Sequence, residues 1–425
     1  MQHRPRVVVG AASAADVQVA VRFAADRGLP VAVLATGHHA VVPIEDAVLI
    51  TTHRMDEVVI DAAARTATVG AGVRWAQVVA EAARHGLAPL NGSSPLVGVV
   101  GYTLGGGISP TMGRRYGWAA DHVESLDLVT ADGRLRMVTA ESDPDLFWAV
   151  RGGTSNFGVV TALTFRLFPQ EILYAGGLFF DGAHAAAVLQ AYAAWATTAP
   201  ESCTSSVALL RLPPLPSVPE PVRGRFVVHV RIASVDLLRA QQTIEPLRRA
   251  APLFLDTVQE IPYSAFDTIH ADPVEPMPFV ERSAMLAEFT AETVNRLLEN
   301  AGPDTDVPVQ IIELRHLGGA FSRQPYPANA VGNREALFSM WIVGVGGPDE
   351  AVTQLRYADE LVGALASWTT GGAYINQYGL DDHLPQRIAA AYPEQAWPRL
   401  RAIKSRIDPT NTFRLNHNIT PAAAG

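Results

Sequence analysis

Two imidazoles leave a glycine turn at Thr36-Gly37-His38-His39, just after the aliphatic run Val31-Ala32-Val33-Leu34. An imidazole so placed can ligate a metal, act as a base or bond covalently to an electrophilic cofactor, and Gly37 lets the backbone approach a ligand closely. On these residues alone, a pair of idle loop histidines is an equally good reading. A second candidate group is Glu313-Leu314-Arg315. Alternate residues of a strand share a face, so Glu313 and Arg315 are expected to point together, as an acid/base pair or as a structural ion pair.

Glycines also cluster at Gly92, Gly98, Gly101, Gly105, Gly106 and Gly107, and again at Gly117. Such density is expected where φ is positive or where a ligand touches main chain, and successive amides in turns suit a pyrophosphate. A dinucleotide fingerprint of the G-x-G-x-x-G kind is excluded, because Gly105-Gly106-Gly107 has the wrong spacing and leads to Ser109-Pro110 instead of a long helix. The single cysteine, Cys203, rules out an internal disulfide and any multi-cysteine zinc or iron-sulfur centre. No metal site is expected. Lys404 is the only lysine and sits in an arginine-flanked helical tail, which disfavours Schiff-base chemistry.

The elements that must position these residues follow from periodicity. Ala14 to Arg27 reads as an amphipathic helix capped by Ser13, and Val48 to Thr51, Val58 to Asp61 and Thr66 to Val69 as short strands. Trp75 to His85 reads as a helix. Leu126 to Thr130 and Leu135 to Thr139 flank a hairpin turn at Ala131-Asp132-Gly133, and Gly158 to Leu167 is a long strand. After Pro169 the pattern changes to long strands alternating with helices at Ala185 to Thr197, Val235 to Ala250 and Glu350 to Ser367, with a proline-rich surface excursion at Pro213 to Pro221. The fold class is α+β, with residues 1–170 as a cofactor domain and 171–370 as a substrate domain with an antiparallel sheet covered by helices on one side.

With 48% hydrophobic and 18% charged residues the chain is globular. A net charge of -9 without clustered cations disfavours a nucleic-acid partner. No apolar run reaches the roughly 18 residues needed to span a bilayer, and the first residues lack a hydrophobic signal region, so no membrane partner and a cytoplasmic location are expected. The oligomeric state is not legible.

Several blocks in order carry a resemblance over nearly the whole chain: Thr36-Gly37-His38, Ser94-Pro95-Leu96-Val97-Gly98 through Gly107, Arg115-Tyr116-Gly117, Asp145 to Gly153, Asn156-Phe157-Gly158-Val159-Val160, Leu317-Gly318-Gly319-Ala320 and Asp408 to Asn416. The chain resembles the berberine bridge enzyme-like flavoprotein oxidases, with the FAD domain of the vanillyl-alcohol oxidase superfamily. The resemblance implies that 371–425 returns to the FAD domain. It implies FAD contacts at Ala35, Thr36, Gly37, His38, His39, Ser94, Val97, Gly98, Gly101, Tyr102, Gly105, Gly106, Gly107, Asn156, Gly158, Val160, Asn416 and Asn418. It also implies an 8α-histidyl bond from His38, His39 taking a minor share. In some members a cysteine at the position of Ser94 adds a second bond; serine is a poor nucleophile without an activating base, so one link is expected.

By the same resemblance, a small molecule passes a hydride to flavin N5 and dioxygen takes the electrons, Val97 standing where related oxidases leave oxygen a path. The family's catalytic groups are not matched: the tyrosine after Tyr-x-Asn is Gln377, with Tyr378 one residue late, the tyrosine after the triple glycine is Ile108, and the strand glutamate is Ser339. The base is left to Tyr378, brought into place by a bulge, or to Glu313 with Arg315. The resulting expectation is an FAD-linked oxidase of a small or medium-sized, apolar secondary metabolite. A flavoprotein that sequesters a natural product, or a dehydrogenase with another acceptor, are the alternatives.

Overall fold

A computed structural model describes residues 2–38, 42–216, 218–379 and 382–422. His39 lies outside the described residues. The first part of the chain builds two small sheets and a short antiparallel pairing of Leu87–Ala88 with Phe168–Pro169. In one, Val48–Thr51 pairs in parallel with Val7–Gly10 on one side and Val31–Leu34 on the other. Helix Ala14–Ala25 covers it with Val17, Ala20, Val21 and Ala24, and the hydroxyl of Ser13 accepts the Asp16 amide as its N-cap. In the other, Val58–Asp61, Thr66–Gly70, Val159–Arg166, Val123–Val129 and Leu135–Val138 run antiparallel in that order. Gly133 has φ 69° in the turn joining the last two, a conformation that only glycine adopts freely.

From Ile172 onward the chain forms an eight-stranded antiparallel sheet. Its order is Leu253–Asp256, Ile172–Asp181, Phe226–Ser234, Cys203–Arg211, Ile311–His316, Phe338–Val345 and Phe279–Leu286, with Gln259–Pro262 also on Ile172–Asp181. Strand residues alternate between faces. Val207, Leu209, Val228, Val230, Ile312, Leu314, Met340 and Ile342 point one way, into a core closed by helices Ala185–Ala196, Leu237–Arg248, Ala291–Ala301 and Pro348–Ala364. Cys203 belongs to that core, and burial pushes its thiol up to about 12. No described helix is long and apolar enough to cross a membrane.

The chain then returns to where it began. Ile375, Tyr378, Tyr392, Leu400, Ile403 and Ile419 share one core with Trp75, Leu126, Phe147 and Phe157. Two polar residues fasten the return. Asn156 donates to Gly153 O and His417 O, and its Oδ1 accepts the Ile419 amide. Lys404, fully buried in helix Ala396–Ile407, donates to Asp408 Oδ2, Asn156 O and Phe413 O, so all three ammonium hydrogens are used.

Candidate active site

The face of the large sheet turned away from its helices is polar at its centre. The register sets Ser206 between Arg231 and Arg315, and Ala208 between His229 and Glu313, with Trp341 across from Glu313 and Ser339 across from Arg315. Glu313 and Arg315 therefore share this face, as their spacing predicts. Glu313 is the hub. Its Oε1 accepts from Arg231 Nη1 at 2.6 Å and Ser206 Oγ at 2.7 Å, its Oε2 accepts from Arg315 Nε at 2.9 Å, and His270 Nε2 lies 3.4 Å from Oε1. Burial alone would raise the Glu313 pKa, but the guanidiniums of Arg315 and Arg231 outweigh it and hold the carboxylate well below its usual range. A carboxylate so held is a weak base. For His229 and His270 burial lowers the pKa, and the neighbouring Arg231 adds to it.

Toward one end the same face is apolar. Phe179, Leu212, Val222, Phe254 and Ile311 gather there, and Phe179 stacks on His229 with ring centroids 3.9 Å apart. Toward the other side Gln377 Oε1 accepts from both Ser283 Oγ and Ser339 Oγ. The expectation for Tyr378 is corrected at this point. No bulge forms; Ile375–Gln377 is a 3-10 turn, which sends Gln377 to the sheet and Tyr378 into the first core. There the Tyr378 hydroxyl donates to Arg387 O and the ring packs edge-on against His417. Tyr378 is therefore not beside Glu313 and Arg315.

Loops of the first part face this surface. Helix 3-10 Tyr263–Ile269 bridges the two: Tyr263, Phe266 and Ile269 pack with Leu90 and Met112, and the Tyr263 hydroxyl lies 2.7 Å from Asn91 Oδ1. Immediately after it, Ser93 Oγ donates to Asp272 Oδ2 at 2.6 Å, next to Ser94. Gly98 sits against Thr36, 3.3 Å from where its Cβ would stand, so the turn of His38 and the loop of Ser94 and Val97 are neighbours. His38 is exposed, and its amide donates to Thr36 Oγ1. Val97 is half-buried against the first core.

Whether FAD fits can be asked of these residues. In helix Val99–Leu104, Gly101 is exposed with nothing within 4 Å of a Cβ, and Gly37 has φ 71° with equal clearance, so backbone is open to a ligand at both. Asn416 Oδ1, Asn418 Oδ1 and the Tyr102 hydroxyl are buried without a hydrogen-bond partner among the described residues, a cost of about 1–3 kcal/mol each that sugar hydroxyls and amino groups of a dinucleotide would relieve. The residues fit. The triple glycine has a different local use. A Cβ on Gly105 would stand 1.8 Å from Asn376 Oδ1, and the Gly107 and Ile108 amides donate to the Tyr374 hydroxyl at 3.0 and 3.1 Å, so these two amides are engaged by a tyrosine that sequence reasoning left unassigned. Asn156 and Gly158 are likewise set by protein contacts, Gly158 because a Cβ would stand 2.5 Å from Val129 O. Val160 is buried in the first core.

Residues 5–139 match the family model "FAD binding domain" and residues 373–420 the model "Berberine and berberine like". The chain is 27% identical to (R)-6-hydroxynicotine oxidase of Paenarthrobacter nicotinovorans over 98% of its own length and 92% of that protein, and 25% identical to the FAD-linked oxidoreductase aurO of Gibberella zeae over 99% and 81%. Among solved structures, 6-hydroxy-D-nicotine oxidase of Arthrobacter nicotinovorans superposes with a TM-score of 0.84 at 26% identity, covering 99% of this chain and 93% of that one. The fold is also that of xylooligosaccharide oxidase from Myceliophthora thermophila, with a TM-score of 0.86 at 23% identity, covering 100% and 93%.

Proposed function

We propose that this chain, which belongs to the berberine bridge enzyme-like FAD-linked oxidases, oxidises a small or medium-sized secondary metabolite at a carbon bearing an O–H or N–H group, with dioxygen as the final electron acceptor. The observation that carries this reading is the sheet face itself. A charged hub at Glu313, Arg231 and Arg315 adjoins an apolar wall at Phe179, Leu212 and Phe254, and faces the loops of His38 and Ser94. An amphipathic substrate lying along it places its apolar body on the wall and its reacting polar group at the hub, where few but well-placed polar groups fix orientation.

FAD bound here supplies a hydride acceptor and, once reduced, a donor of electrons to dioxygen. His38 is the residue for its covalent attachment, and Ser94 offers no sulfur for a second link. Asn416, Asn418 and Tyr102 would hold its polar groups, and the clearance at Gly101 admits it against the main chain. Glu313, fixed by three donors, holds Arg315 over the ring of Trp341, 5.1 Å from its centroid, and so presents a rigid polar floor to the substrate. Val97 leaves dioxygen a path.

The test has two arms. Acid-denatured wild type should stay yellow while His38→Ala releases its flavin. Anaerobic mixing with benzylic alcohols, secondary alcohols and cyclic amines of increasing apolar size should bleach the flavin for at least one class, with peroxide formed on readmitting air. Loss of colour from wild-type precipitate would end the covalent reading, and failure of every class to bleach a loaded enzyme would end the oxidase reading.

A further inference from the structure

Beside the hub, and outside every motif of the sequence, lies His270. Its side chain is 2% exposed, and neither ring nitrogen makes a hydrogen bond among the described residues, although Nε2 is 3.4 Å from Glu313 Oε1. The backbone is bent to put it there. Ala271 has φ 51°, a left-handed conformation unusual for a residue with a side chain, and strain of this kind gathers at functional sites. The next residue, Asp272, is bound by Ser93, so the imidazole is clamped between the sheet face and the loop that carries Ser94.

The charged and titratable groups around it come from three elements. Arg231 and His229 lie on Phe226–Ser234, Glu313 on Ile311–His316, and Asp272 on its own segment, with Arg315 bound to Glu313 beyond. Burial, with Arg231 beside it, favours the neutral form of both imidazoles. His229 is committed: its Nδ1 accepts from Arg231 Nε, and its Nε2 occupies the space that a side chain at Gly177 would fill. His270 has no such commitment.

We propose that His270 is the proton acceptor coupled to reduction of the cofactor, with Glu313 as its positioning residue. This rests on the function proposed above. With FAD bound as hydride acceptor, the substrate C–H hydrogen would leave with its bonding pair, the adjacent O–H or N–H bonding pair would become the second bond of C=O or C=N, and the proton would go to His270 Nδ1. Nε2–H then faces the Glu313 carboxylate, which stabilises the imidazolium formed. When dioxygen takes two electrons and two protons to become hydrogen peroxide, His270 returns to the neutral form.

The test needs no substrate. FAD-loaded enzyme is photoreduced in weakly buffered solution near neutral pH, and proton uptake is counted with an indicator dye, for wild type and His270→Gln. Wild type should take up about one proton more per flavin than the variant. In parallel, the nitrogen-15 resonances of His270 in wild type should pass from a neutral ring to an imidazolium on reduction, which keeps the proposal testable if His270→Gln folds poorly. Equal proton counts, or a His270 ring already charged before reduction or still neutral after it, would overturn the proposal and leave the oxidase reading intact. A wild-type protein that retains no FAD would overturn both.

Discussion

Replacing Lys404 with methionine should cost more stability than any surface substitution in this chain. The two side chains of the Lys404–Asp408 pair are 0% exposed, and the ammonium holds Asp408 at 2.8 Å, Asn156 O at 2.6 Å and Phe413 O at 3.1 Å. Methionine preserves most of the stem's packing and removes all three donors. Asp408 keeps the amides of Thr412 and Phe413, so the carboxylate is not wholly stranded, but it loses its counter-charge and two buried carbonyls lose their donor. Breaking one side of a buried pair costs about 3–5 kcal/mol, and the retained amides argue for the lower half of that range. Denaturant titration followed by tryptophan fluorescence, with matched slopes, gives the number. Hydrogen exchange locates it: the amide of Ile419, held by Asn156 Oδ1, should lose protection ahead of the large sheet. A loss below about 1 kcal/mol, or protection lost first in the strands of the large sheet, would refute the claim that this pair fastens the returning segment.

Tyr378→Phe should remove one hydrogen bond to Arg387 O, cost about 1 kcal/mol and leave anaerobic flavin reduction unchanged; slowing of reduction by tenfold or more would restore the tyrosine to the site. Gly105→Ala places a Cβ 1.8 Å from Asn376 Oδ1 and should displace Asn376 from Tyr102 O and the Tyr374 hydroxyl, costing about 1–3 kcal/mol, read as a lowered melting temperature. His229, His270 and His316 all have pKa values lowered by burial below the ordinary 6.5, so as pH falls the unfolded chain binds protons before the folded one. Their contribution is whole above about 6.5 and is lost progressively below it, at no more than about 1.4 kcal/mol per pH unit for each ring and only until pH passes that ring's lowered folded-state pKa; urea midpoints that stay flat between about pH 7 and pH 5 would contradict this.

The strands and helices were legible wherever local pattern and burial agreed. Val48–Thr51, Val58–Asp61 and the Ser13 cap were readable because each depends on residues within one turn or one strand. The sharing of a face by Glu313 and Arg315 followed from a period of two. What they face did not, because Ser206, Arg231 and His270 reach Glu313 from strands and loops far away in sequence, and no local rule reports antiparallel register between them. One signal was present: His229 and Arg231 are alternate polar residues in the otherwise apolar run Val227 to Ala233, which marks a strand with one polar buried face. Tyr374 and Tyr378 were exchanged in importance because a turn, not a bulge, follows Tyr374, and turn geometry depends on the partner that receives Gln377. The use of the Gly107 and Ile108 amides by Tyr374 was hidden for the same reason.

The return of the chain to its first core has a consequence for synthesis on the ribosome. Ile419 is 0% exposed among residues that begin at Ala67, so a core begun early in translation cannot close until the end of the chain is made. The large sheet, drawn from Ile172 to Val345, contains all its own strands and can assemble while the first part still waits with an open apolar flank. Translation at about 5–20 residues per second keeps that flank uncovered for roughly 13–50 seconds between the emergence of Arg166 and that of Ile419. Expression should therefore depend on chaperone supply more than the stability of the finished protein would suggest. A permuted chain that opens inside the large sheet and joins the returning segment directly to Val7–Gly10 should close the first core early and be less demanding to produce.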